Sequence, residues 1–348
     1  MESWYLFLEV LIAISSVIGN GFALWILFVT PRLQTITNHF IASLAFADFL
    51  VGLLGIPFAI LTSLGLPENF RGCLIMLTFL LWLCGTSTFS LIGVTLERYV
   101  AVLCPLRYPS LVTVNKTYVV IAISWAGAAI IGFLPAFGWN LGWNSDMPKC
   151  FFMDVIDTRY MVFNGAMVIY LPFMVMLVIY AIIFKAIRSQ VRRIRPGVAV
   201  PSVSRTGIEQ PSVPSTSTSV LSSSLKQEIR AAKSLGIIVV FFMLSWLPLT
   251  VMNTVFALHP SSAASFPPML LKFFILLSHA NSAGNPLLYA YGKDFRNAYK
   301  KKLHELFPCL SDALKPSSRS VSDEVQSAQV ISPITLDKKT SQNPSIIA

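Results

Sequence analysis

Charged residues are scarce. Asp, Glu, Lys and Arg make up 12% of the 348 residues, where a water-soluble chain carries about 25%. That deficit excludes an ordinary soluble globular protein. Histidine is rarer still: His39, His259, His279 and His304 are the only four. They fall on both expected faces of a membrane, too scattered for the metal cluster of an intramembrane hydrolase. The chain also lacks internal repeats, which a membrane transporter usually shows. It has no heptad run and no water-soluble stretch large enough for a separate core. The opening MESWYLFLEVL has no basic n-region, so no cleavable signal peptide is expected and the first span acts as its own anchor.

What the chain has in abundance is apolar length. Hydrophobic residues reach 55% and the mean hydropathy is +0.68. A run of about 20 apolar residues crosses about 30 Å of hydrocarbon. Such runs lie near 5–29, 38–64, 73–96, 118–140, 160–184, 233–258 and 268–291. The expected fold class is therefore an all-α membrane protein, a bundle of seven transmembrane helices with a short amphipathic eighth. With the N-terminus outside, only Arg71, Lys149, Arg159 and Lys272 of the 26 Lys and Arg residues fall on the outer side. That asymmetry is a strong positive-inside signal. The net charge of +10 then reflects topology and attraction to anionic membrane lipids, with no nucleic acid as partner.

Residues 1–308 read as one helical domain. Within it, 196–225 reads as a disordered third cytoplasmic loop, and 309–348 as a disordered cytoplasmic tail; both are rich in Ser, Thr and Pro. Their serines are candidate phosphorylation sites. Cys73 and Cys150 lie on the outer, oxidising side, where a disulfide is permitted. Cys309 follows a basic amphipathic stretch past the seventh span, a palmitoylation candidate. The one Asn-x-Ser/Thr glycosylation match, Asn115-Lys116-Thr117, is on the cytoplasmic side.

Polar residues inside the spans carry the functional signal, because they are expensive in lipid and face the protein interior. In LLSHANSAGNPLLY, Ser278, Asn281, Ser282, Asn285 and Tyr289 recur three and four apart and share a face. His279 lies at its edge, and Pro286 frees a backbone carbonyl one turn back. Asp48 needs a cation or a dense hydrogen-bond shell at that depth. With Ser87, Asn281 and Asn285 it makes a site suited to a sodium ion; the alternative is a structural network holding four helices in register. At the inner end of the third span, Glu97-Arg98-Tyr99 offers Arg98 a local acidic partner. Glu228, at the inner end of the sixth, offers a second across helices. Such a pair is a latch that opens when the sixth helix swings outward; the plainer reading is a boundary anchor.

Gly19-Asn20, Leu44-Ala45-x-x-Asp48, Cys73 with Cys150, Glu97-Arg98-Tyr99, Trp125, Ser245-Trp246-Leu247-Pro248 and Asn285-Pro286-Leu287-Leu288-Tyr289 together resemble the rhodopsin-like G-protein-coupled receptors over about residues 5–308. Within that family the chain is most similar to the adenosine receptors. The phrases that carry this are Phe137-Gly138-Trp139-Asn140, Tyr160-Met161-Val162, Cys150-Phe151-Phe152, Ala231-Ala232-Lys233-Ser234-Leu235, Trp246-Leu247-Pro248-Leu249 and Leu277-Ser278-His279-x-Asn281-Ser282.

The resemblance implies a receptor, not an enzyme, in the plasma membrane, for adenosine or a close purine. It implies heterotrimeric G proteins acting on adenylyl cyclase, receptor kinases and arrestin as partners. No cofactor is implied beyond an allosteric sodium ion. It implies a Cys73–Cys150 disulfide, Phe152 stacking on adenine and Asn253 reading its edge. Leu81, Met161, Leu249 and Ile275 would wall the pocket over a floor of Trp246. Ser278 and His279 would hold the ribose, with Glu9 bonded to His279. Glu97, Arg98, Tyr99, Glu228, Pro286 and Tyr289 would form the activation switch.

The chemistry of these residue types agrees. A carboxamide places a donor beside an acceptor, which matches the N6/N7 edge of adenine, and an aromatic face suits a flat heterocycle. The sequence departs from the adenosine pattern at Cys84, Gly85, Thr250 and Met153, and Glu97 replaces the usual Asp. A retinal receptor would need a lysine where His279 stands, and an amine receptor a carboxylate where Leu80 stands. A receptor of the same scaffold for another small molecule is the strongest alternative.

Overall fold

The computed structural model describes residues 2–143, 149–194, 216–259, 261–262, 266–290 and 292–306. At 190–194, 216–228, 230–231 and 293 it describes the backbone alone. The long helices are α1 (Ser3–Val29), α2 (Ile36–Ser63), α3 (Phe70–Leu103) and α4 (Val114–Gly132). After them come α5 (Thr158–Asn164 continuing through Gly165–Tyr170 and Leu171–Ile194), α6 (Thr216–Leu258), α7 (Pro268–Tyr289) and α8 (Lys293–Leu306).

Six of these, α1 to α6, are long and apolar enough to cross a membrane. The 22 residues of α7 span about 33 Å at about 1.5 Å per residue, which is also membrane length. Its hydropathy is lowered by the polar stripe it buries: Ser278, His279, Asn281, Ser282 and Asn285 all face inward. The described residues contain no β-strand, only the isolated bridges Gly65–Cys150 and Asn140–Ile156.

Side-chain caps set the helix starts. Thr35, Asn69, Thr113 and Asp157 each accept a hydrogen bond from a backbone N–H of the first turn of α2, α3, α4 and α5. The span expected to run to 140 stops at Gly132, because Leu134-Pro135 disfavours continued helix. α3 runs past Arg98 to Leu103, and α6 begins at Thr216. Residues 216–225, expected as loop, are therefore helical. Extending a helix already nucleated in α6 needs no new nucleus, which offsets the poor propensity of Ser and Thr. The rest of the expected loop, 196–215, and the tail 309–348 with Cys309 lie outside the described residues.

Two helices widen to i→i+5 bonding, and both do so just before a proline. Ile56 N–H donates to Val51 O ahead of Pro57, and Leu171 N–H to Ala166 O ahead of Pro172. Proline lacks an N–H and crowds the carbonyl four residues back, and a wider turn relieves that clash. In α5 the widened segment begins at Gly165, which lines the central cavity.

Packing gathers buried apolar residues into three clusters, the smallest of them Val51, Ile56 and Leu83. An inner one gathers Ile26, Leu44, Leu91, Met176, Ile238 and Phe242. An outer one surrounds Cys73 and Cys150 with Leu77, Val155, Ile156 and Tyr160. Polar seams tie the helices laterally. Trp125 Nε1 donates to Ser43 Oγ at 3.0 Å, Ser43 Oγ meets Ser90 Oγ at 3.1 Å, and Trp82 Nε1 donates to Trp125 O at 3.2 Å. Gly132 lets α4 touch the α3 backbone, since a Cβ there would lie 2.7 Å from Trp82 N. Met1–Lys300 forms one unit. In the second, Lys301–Ala348, the half-buried Lys302 pairs with the exposed Glu305 at 2.6 Å.

Candidate ligand-binding site and transmission network

A cavity of about 380 Å³ opens between α3, α5, α6 and α7, within the usual range for small-molecule sites. One wall comes from the loop after α4. The Cys73–Cys150 disulfide, with Cα atoms 5.5 Å apart, ties that loop to the start of α3. Cys150 N–H also donates to Gly65 O at 2.9 Å, fixing the loop to the end of α2. Phe152, two residues on, is thereby held at the cavity.

The remaining expected pocket residues come from four helices. α3 contributes Leu81 and α5 Met161; α6 contributes Trp246, Leu249 and Asn253; α7 contributes Ile275, Ser278 and His279. Glu9 stands behind His279, with Oε2 2.7 Å from His279 Nδ1, and both side chains are buried. With Nδ1 engaged by Glu9, Nε2 remains as the ring's second polar atom. Ser278 Oγ donates to Ile275 O at 2.7 Å, which leaves its lone pairs for a ligand hydroxyl.

Of the four departures noted above, Cys84, Met153 and Thr250 line the cavity. Gly85 does not; it packs on α4, where an added Cβ would sit 3.4 Å from Ala128 Cβ. Asn164 and Gly165 are among the further lining residues not singled out from sequence. Their spacing from Met161, three and four residues, was the available signal.

Below the cavity lies Asp48, fully buried. Its Oδ1 accepts from Ser87 Oγ at 3.0 Å and Ser282 Oγ at 2.9 Å, and its Oδ2 from Asn285 Nδ2 at 2.7 Å. Asn281, expected in this set, is not among the partners; its Nδ2 is buried without one, and Ser282 takes the place. One residue along a helix is about 100° of rotation, enough to exchange neighbours in the stripe. Among the described residues no basic side chain pairs with Asp48. The two serine oxygens keep lone pairs and Asn285 Oδ1 is unpartnered, so the donor set fits a hard monovalent cation.

Pro286 cannot bond the carbonyl of Ser282, four residues back. Asn20 Nδ2 donates to that oxygen at 2.9 Å, and to Ser16 O at 2.9 Å, so the α7 defect is repaired from α1. Ser16 Oγ in turn donates to Asp48 O at 2.9 Å. Tyr289, at the end of α7, is buried and packs on Phe295 at 5.8 Å between ring centroids.

At the inner end, Glu97 is the anchor. Arg98 Nε donates to Glu97 Oε2 at 2.6 Å, and Arg98 Nη2 to Thr37 Oγ1 at 2.6 Å. Thr37 Oγ1 reaches Glu97 Oε1 at 3.2 Å, and Tyr108 OH donates to the same carboxylate oxygen. Tyr99 packs at the edge of the inner core. The side chain of Glu228 lies outside the described residues.

A family model described as 7 transmembrane receptor (rhodopsin family) matches residues 19–289. The chain belongs to that family. It is a multi-pass membrane receptor of the G-protein-coupled class, and receptors of this family are not enzymes. The receptor is similar to adenosine receptor A2b of Homo sapiens, 38% identical over 329 residues that cover 89% of this chain and 93% of that protein. It is 36% identical to adenosine receptor A2b of Gallus gallus over 332 residues, 90% and 91% of the two chains. To adenosine receptor A2a of Homo sapiens it is 37% identical over 317 residues, 86% of this chain and 72% of that one.

Proposed function

We propose that this receptor binds adenosine or a close purine nucleoside from the outer side and signals through heterotrimeric G proteins to adenylyl cyclase. The observation that carries this reading is the convergence on one cavity of Phe152, Asn253 and Ser278 with the Glu9-oriented His279. An aromatic face, a carboxamide and a hydroxyl–imidazole pair are what a base and a ribose require. The similarity to adenosine receptors supports the same ligand. Phe152 stacks the base, Asn253 pairs with its N6/N7 edge, and Ser278 and His279 hold the sugar, over Trp246.

Agonist shifts a two-state equilibrium by no more than its differential affinity for the two states. Asp48, Ser87, Ser282 and Asn285 hold a sodium ion in the inactive state, which supplies the positive charge that buried Asp48 lacks. Arg98 is latched by Glu97 locally and by Glu228 across helices. Glu228→Ala therefore raises basal signalling at matched expression; unchanged basal activity removes the interhelical half of the latch. Receptor kinases and arrestin act on the Ser-rich segments, and Cys309 carries a palmitoyl chain.

Cyclic AMP measured in cells with and without the chain tests the reading. Adenosine should change it, and Asn253→Ala should shift that response to at least about tenfold higher adenosine. No response at any adenosine concentration favours the second reading, a receptor of this scaffold for a different small molecule. Cys84, Met153 and Thr250, which leave the cavity wall less polar than the adenosine pattern, favour that alternative.

A further inference from the structure

We propose that Ser110, between α3 and α4, is a phosphorylation site for a protein kinase that selects an arginine three residues before its target, and that Arg107 and Lys116 hold the added phosphate. The site lies apart from the ligand cavity and stands whether or not the ligand is a purine. It falls at the end of the bundle that carries Arg98, and the excess of Lys and Arg puts that end in the cytoplasm.

Residues 104–111 are exposed except for the half-buried Tyr108. Ser110 sits in a single helical turn, Tyr108–Leu111, and a turn so short has little stability of its own. Local opening of such a segment is cheap, so it can extend across the cleft of a kinase. Arg107 stands three residues before Ser110. It makes no ion pair among the described residues, so its charge serves first in recognition and then in holding the product.

Lys116 supplies a second cation. From the first turn of α4 its Nζ donates to Ser110 O and Leu111 O, both at 3.1 Å. The ammonium is therefore already anchored at the residue to be modified. Ser110 Oγ donates to Arg107 O at 2.9 Å, a bond lost when phosphoryl replaces the proton. A phosphoserine beside two cations gains charge-assisted hydrogen bonds in exchange. Thr35 gives the contrast. It too follows an arginine, Arg32, by three residues, but its Oγ1 is spent on the cap of α2, accepting from Asn38 N–H.

The step moves the γ-phosphoryl group of a nucleoside triphosphate to Ser110 Oγ. The new O–P bond forms as the bond from the γ-phosphorus to the bridging oxygen breaks. The nucleoside diphosphate leaves with that electron pair, and the hydroxyl proton passes to the base of the kinase. A neutral hydroxyl becomes a group of nearly two negative charges. It lies two residues along the chain from Tyr108, whose OH donates to Glu97, the anchor of Arg98.

The test begins with the full-length receptor isolated from cells treated with a phosphatase inhibitor. Site-resolved mass spectrometry should find phosphate on Ser110. The purified receptor is then given ATP and a calcium/calmodulin-dependent protein kinase, which selects an arginine at that spacing. The initial rate at Ser110 should fall at least about tenfold in Arg107→Ala, the loss of one charge-assisted hydrogen bond, and be unchanged in Lys116→Ala. Phosphorus-31 NMR follows the phosphate through a pH titration, its resonance assigned by its absence from Ser110→Ala. The second pKa should lie below the usual value of about 6, because adjacent cations favour the dianion, and Lys116→Ala should shift it upward. An unphosphorylated Ser110 in cells overturns the proposal, whatever the purified kinase does. So does a rate in Arg107→Ala equal to that of wild type. A phosphate pKa indifferent to Lys116 overturns the clamp. Should Arg107→Ala not express, Arg107→Gln is read in the same way.

Discussion

Glu9 and His279, 270 positions apart in sequence, meet through a 2.7 Å hydrogen bond inside the bundle. Each alone is costly at that depth, and removing one partner of a buried pair is strongly destabilising. The bond joins α1 to α7 and aims the imidazole at the cavity. His279→Ala is expected to weaken adenosine by about tenfold or more, one unpaired polar group at about 1–3 kcal/mol. Ribose-free adenine ligands should be affected much less. Competition binding with both ligand types checks the difference; equal losses would mean that His279 acts only through packing.

Asn253 should behave in the opposite way. Its carboxamide serves the base, which adenosine and ribose-free ligands share. Asn253→Ala should therefore cost both classes at least about tenfold, from about 1–3 kcal/mol per buried group left unpaired. Wild-type affinity for both would sink the adenosine assignment and leave the receptor with another ligand.

Sodium and agonist are linked through Asp48. An ion that favours the inactive state must lower agonist affinity by the factor with which agonist lowers its own. Replacing a bulky organic cation by sodium at constant ionic strength should weaken agonist and leave antagonist unchanged or improved. Asp48→Asn should erase the effect, as should Ser282→Ala in part. An agonist affinity indifferent to sodium in wild type would make the cluster structural only.

The disulfide positions Phe152 as well as stabilising the fold. A crosslink across 77 residues contributes about 2–4 kcal/mol in typical cases. Cys150→Ser should lower surface expression and purine affinity together. Normal values of both would show that the loop is held by Gly65–Cys150 backbone pairing alone.

Gly132 is required by backbone contact. Its Cβ would stand 2.7 Å from Trp82 N, whereas at Gly127 the nearest atom, on the Phe89 ring, is 3.7 Å away. Gly132→Ala should destabilise by about 1–3 kcal/mol, the usual overpacking cost. Gly127→Ala should be near neutral or stabilising, because alanine is the better helix former. Thermal unfolding of the two variants in the same detergent measures both.

Much of this receptor is legible in its sequence because the bilayer is a severe filter. Lipid forbids unsatisfied backbone, so apolar runs of membrane length must be helices. It makes each intramembrane polar residue an exception with a reason, so Asp48, Asn285 and His279 stand out from the string alone. What the sequence does not carry is the rotation of each helix against its neighbours. Asn281 and Ser282 are adjacent letters, yet only Ser282 reaches Asp48. Gly85 follows Cys84, yet Cys84 faces the cavity and Gly85 faces Ala128. Asn164 looks like any polar residue near a helix start until the widened turn before Pro172 sets it in the cavity wall. Hydropathy determined that there are helices and which residues must hide. Packing between helices, through contacts of a few ångströms that no periodicity encodes, decided which hidden residues meet.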